Sequence, residues 1–87
     1  MTLNFPNTSR YFDERRAMVH FWGYDSALEI SFFVGIDALK KFESLNKENE
    51  EEYLAIFDAA LAAIHAAAKK VYSRNHDDAY YLSAADF

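Results

Sequence analysis

A chain of 87 residues holds one domain, 1–87, and its 52% hydrophobic and 17% aromatic content excludes a disordered polypeptide. A formal net charge of −5 argues against sequence-independent binding to phosphate backbones, which takes a basic surface; the absence of cysteine removes disulfides and thiolate ligands and fits a reducing compartment. No apolar run approaches the ~20 residues of a membrane helix, and "MTLNFPNTSRYFDERR" lacks the apolar stretch of a secretory signal, so the expectation is a cytoplasmic protein with no membrane contact.

In chain order, "TLNFPN" reads as a short edge strand stopped at Pro6, which has no amide proton for a ladder. "NTSRYFDERR" reads as a polar connection with a turn near Asn7–Ser9. "VHFWGYDSALEISFFV" reads as a hairpin with strands 17–22 and 27–34 around a "GYDS" loop. Pairing Trp22 with Ala27 sets Phe21 against Leu28, Val19 against Ile30, and His20 against Glu29. Leu28, Ile30, Phe32 and Val34 then face the core together with Ala17, Val19 and Phe21. "IDALKKFESL" reads as a short helix with Asp37 as its N-cap. "EEEYLAIFDAALAAIHAAAKKVYS" reads as one long helix, with Leu54, Phe57, Leu61, Ile64, Ala68 and Val71 on one face. Three glutamates suit its first turn and Lys69, Lys70 and Arg74 its last. "RNHDD" breaks it, and "AYYLSAADF" is a last strand with Tyr80, Leu82 and Ala84 on one side and Tyr81 and Ser83 on the other. The fold class is α+β: a small, mostly antiparallel sheet packed on one short and one long helix, in the order β-β-β-α-α-β.

"LNFPN", "VHFWGYDSALEISFFV", "IFDAALAAIHAAAKKVYSR" and "YYLSAADF" together resemble the domain of unknown function 1488 family of small bacterial proteins, over nearly the full chain. The resemblance implies a cytoplasmic bacterial protein with a compact α+β domain, and it implies no activity. Members of that family often carry an Asn-Arg pair in the middle of the long helix, where this chain has Ala60 and Leu61. That departure leaves no functional residue to carry over.

The residues themselves name no chemistry. His20, His65 and His76 fall in a strand, a helix and a loop with no ligand spacing among them. A metal site of His20, Glu29 and a third group is weaker than the plain reading of those two as a cross-strand polar pair. No serine sits in a G-x-S-x-G elbow, and "GYDS" is explained by turn chemistry. Asp77 and Asp78 lie side by side in a loop, which is no setting for a buried acid of raised pKa. No catalytic, cofactor-binding or metal-binding residue is assigned.

What stands out is the second face of the hairpin. Met18, His20, Trp22, Glu29 and Phe33 point away from the core and Tyr81 joins them, which makes these six a candidate interaction face. Two covers compete for it: the N-terminal arm, through Phe5, Tyr11 and Phe12, or a second subunit. The leading reading is a non-enzymatic interaction module that self-associates as a homodimer through this face or meets another protein there. A rival reading uses Trp22, Tyr24, Phe33 and Tyr81 as a stacking platform for single-stranded nucleic acid, but Arg15, Arg16, Lys69, Lys70 and Arg74 are dispersed. An enzyme with a small-molecule pocket between sheet and helices is the third reading, and no motif supports it.

Overall fold

The structure, a computed structural model, describes residues 3–6, 9–74 and 79–87, residue 74 by its backbone alone. Five strands form one mixed sheet: β1 (Leu3–Asn4), β2 (Arg10–Asp13), β3 (Met18–Asp25), β4 (Leu28–Gly35) and β5 (Ala79–Leu82). Helices α1 (Ile36–Leu39), α2 (Glu50–Ala59) and α3 (Leu61–Arg74) connect β4 to β5, and a 3-10 turn (Ala84–Asp86) follows. The architecture is the expected α+β.

The hairpin β3–β4 is longer than expected, because its turn is Ser26–Ala27 and not "GYDS". Asp25 pairs with Leu28, and Val19 pairs with Val34 where Ile30 was expected. Ser26 takes the left-handed φ of 56° that so tight a turn needs. Gly23 therefore lies inside a strand. Its bare Cα admits β1, since a Cβ there would stand 2.9 Å from both Leu3 Cδ1 and Phe5 Cε1. The register differs from the expected one by an even number of residues, so every side chain keeps its face. Leu28 is the exception in burial: expected in the core, it is 61% exposed at the hairpin tip. Ala17 was also expected on the core face; it lies in the β2–β3 turn at φ 55°.

The polar connection contains a strand. β1 and β2 both pair antiparallel with β3, β1 along its C-terminal half and β2 along its N-terminal half. They form one interrupted edge with Pro6 in the break. The turn expected at Asn7–Ser9 lies outside the described residues. β5 pairs in parallel with β4, as the helical crossover between them allows.

The long helix is divided at Ala60, whose backbone turns to φ −102°, ψ 16° and whose N–H is shared between the carbonyls of Ile56 (3.0 Å) and Phe57 (3.2 Å). The two halves answer to different strands. α2 is held to β2 by Arg10 on Asp58 and by Phe12 against Tyr53. α3 is held to the hairpin tip by Tyr72 on Asp25 and to β5 through Tyr80. One straight rod does not follow both across a twisted sheet. The buried stripe accordingly runs through Tyr53, Ile56, Phe57, Ile64, Ala68 and Tyr72, while Leu54, Leu61 and Val71 flank it half-buried. Helix α1 is only 4 residues long, and Asp37 does not cap it. Its carboxylate instead accepts from the Ala84 N–H at 3.0 Å, which ties α1 to the closing turn.

The core lies between the inner sheet face and the helices, with Val19, Phe32, Val34, Leu39, Ile64 and Leu82 at 0% exposure.

Candidate functional site: the outward sheet face

Pairing fixes which side chains share the outward face, because residues directly opposite in adjacent strands project to the same side. Four rows cross the sheet there. The first holds Asp13 and Met18 beside Gly35, and the second holds Tyr11, His20, Phe33 and Tyr81. The third holds Trp22, Ser31 and Ala79, and the fourth holds Asn4, Tyr24 and Glu29. All six candidate residues, Met18, His20, Trp22, Glu29, Phe33 and Tyr81, thus lie on one face.

The rings form a continuous ladder. Tyr11 meets Trp22 edge-on at 5.2 Å, Trp22 meets His20 at 4.1 Å, His20 stacks on Phe33 at 4.1 Å, and Phe33 stacks on Tyr81 at 5.1 Å. Its two ends are open, Tyr11 at 60% and Tyr81 at 52% exposure. Its middle is covered by Arg16, whose guanidinium carbon stands 4.8 Å from the centre of the Phe33 ring. Phe33 is therefore buried although it stands outside the main core cluster.

The β2–β3 turn aims Arg16. Its backbone N–H donates to Asp13 Oδ1 at 3.0 Å and its Nη1 donates to Asp13 Oδ2 at 2.8 Å. The Arg16 backbone N–H first, and its guanidinium second, hold the Asp13 carboxyl below the usual carboxylate range. Asp13, and then the Tyr81 hydroxyl, raise the Arg16 pKa. Burial between rings pushes the His20 imidazole down, an effect Arg16 adds to and Asp13 and Glu29 oppose. His20 Nε2 is enclosed and has no hydrogen-bond partner. The expected His20–Glu29 pair does not form: His20 faces Phe33, and Glu29 Oε2 accepts from the Tyr24 hydroxyl at 2.8 Å.

Phe5 and Phe12, the arm rings expected as a cover together with Tyr11, do not lie on this face. Phe5 lies on the inner side, stacked on His65 of α3 at 3.9 Å, and Phe12 packs inward on Tyr53. Of the three rings, Tyr11 turns outward, and it extends the ladder. Sequence reasoning missed Tyr11, Asp13 and Arg16 as members of the face. The alternation in "RYFD", Arg10 and Phe12 inward against Tyr11 and Asp13 outward, was the available signal.

Elsewhere, a groove of about 410 Å³ opens at the helix break, lined by alanines with Phe42, Glu43 and Ile56. It places no nucleophile beside a base. Among the described residues no three His, Asp or Glu side chains converge to hold a metal ion, and no helix is long and apolar enough to cross a membrane. His76, Asp77 and Asp78 lie outside the described residues. Leu61 packs half-buried against the core.

A family model described as a protein of unknown function, DUF1488, matches residues 3–83. No curated protein matches the chain. The crystal structure of a protein of unknown function from the same family, from Shewanella loihica, is similar with a TM-score of 0.81 at 17% identity, over 94% of each chain. At that identity the likeness is one of fold.

Proposed function

The chain belongs to the DUF1488 family, and from that premise we propose that it is a non-enzymatic interaction module of the bacterial cytoplasm, self-associating as a homodimer through its outward sheet face. The observation that carries this reading is the ring ladder from Tyr11 through Trp22, His20 and Phe33 to Tyr81, open at both ends on a face that no described part of the arm covers. The exposed Tyr11 and Tyr81 rings at the two ends and the half-buried Trp22 are a standing gain for any surface that removes them from water, and tryptophan is a frequent anchor of such contacts. A two-fold dimer needs only one self-complementary patch. The charges support a protein partner over a nucleic acid: Asp13 and Glu29 set two carboxylates on the face beside the Arg16 guanidinium.

Sedimentation equilibrium over a wide concentration range tests the reading. The expected mass is twice that of the chain. Trp22→Glu is expected to lower it toward one chain while the helical circular dichroism stays intact, since Trp22 is half-buried and outside the core. A native chain that stays monomeric at every concentration, or a Trp22→Glu chain that unfolds as a monomer, sinks it. In that event a salt-dependent rise in anisotropy of a labelled single-stranded oligonucleotide would turn attention to the stacking platform.

A further inference from the structure

Resting on the dimer reading, we propose a specific packing: two copies meet face to face about a two-fold axis that crosses the strands, so that Arg16 of each copy binds Glu29 of the other. For two sheets packed face to face with their strands nearly aligned, the axis lies in the interface and runs close either to the strand direction or to its perpendicular. The distribution of charge on the face separates the two.

An axis across the strands keeps each strand over its own counterpart and exchanges the ends of the sheet. The same rotation acts on charge. Arg16 stands over Phe33, hence above β4 toward the β2–β3 turn, with its side chain 49% exposed. Glu29 is exposed on β4 at the opposite end, near the hairpin tip, with Oε2 taken by Tyr24 and Oε1 left open. Exchange of ends brings these two together, twice per dimer. An axis along the strands keeps the ends in place; it sets Arg16 near Arg16 and Glu29 near Glu29, which is repulsive. Asp13 holds the guanidinium through Nη1 and the Tyr81 hydroxyl is its second neighbour, which leaves the remaining donors of the five-donor fork for a second carboxylate.

The test is a charge exchange read by sedimentation equilibrium. Arg16→Glu alone places two glutamate pairs across the dimer, and Glu29→Arg alone places two arginine pairs. Each is expected to raise the dissociation constant about tenfold or more. An equal mixture of the two variants restores both opposite-charge pairs, so it is expected to associate again, and more weakly as salt rises. The mixture also controls for local damage, since a misfolded variant is not rescued by a partner. If the native chain dimerises but the single variants associate as well as it does, or their mixture stays monomeric, this packing is wrong while the dimer reading stands. If the native chain is a monomer throughout, both fall.

Discussion

His20 concentrates the tension of the outward face. Its ring lies between Trp22 and Phe33 at 4.1 Å from each, and its enclosed Nε2 finds no partner. Burial and Arg16 both disfavour its proton, against partial opposition from Asp13 and Glu29. The sign of the linkage follows. An unfolded His20 protonates near about pH 6.5 and the folded one lower. Its contribution to stability is complete above about pH 6.5 and is lost as pH falls from there through the folded value. His65, lowered by burial and by Lys69, acts in the same direction. His20→Phe places carbon where the unpartnered nitrogen sits. It is expected to raise stability by up to about 1 kcal/mol at neutral pH and to reduce the loss on acidification, both read from denaturant melts at about pH 7 and about pH 5. The outward aim of His20 was legible from strand alternation. Its neighbour was not, because a partner across a hairpin depends on where the turn closes.

Among the elements, β1 and α2 depend on features of opposite visibility. β1 is 2 residues long and seats against β3 only because Gly23 presents no side chain to Leu3 and Phe5. Gly23→Ala puts a methyl group 2.9 Å from both of those side chains and 3.2 Å from Phe32. The expected result is a destabilisation of roughly 1–3 kcal/mol, with loss of hydrogen-exchange protection in the β1 amides; unchanged protection would show that β1 seats in some other way. A glycine followed by Tyr-Asp-Ser looks like a turn until the strand that lies over it is known. The start of α2, by contrast, is written locally. Asn49 accepts the Glu52 N–H at 2.9 Å, and the Glu52 carboxylate accepts the N–H groups of Asn46, Lys47 and Glu48. The acidic first turn at Glu50–Glu52 was readable from charge and dipole alone. Asn49→Ala is expected to cost about 1 kcal/mol, visible as a lower denaturation midpoint with an unchanged slope.

Across the whole molecule, the bond from the Tyr72 hydroxyl to Asp25 Oδ2, 2.6 Å long, joins the hairpin tip to α3 over 47 residues of sequence. The carboxylate first and burial second push the Tyr72 pKa up to about 12 from the ordinary phenol value of 10.0. A raised value means the contribution is complete below about pH 10 and disappears as pH climbs to about 12. Tyr72→Phe is expected to be less stable than the native chain at neutral pH and to lose less between those limits; parallel alkaline melts of both chains check this. Taken by itself, the sequence determined the α+β class, the hairpin, the helical segments and the side of the sheet on which each of the six outward residues lies. Those follow from periodicities of 2 and 3.6 residues, which are local and survive an even slip in register. Tertiary structure alone decided the rest. The turn moved to Ser26–Ala27 because β1 claims the space over Gly23. The polar connection became β2 because β3 had a free edge. The long helix divided at Ala60 because its halves pack on different strands. Each of these turns on groups distant in sequence competing for one place, which no local pattern records.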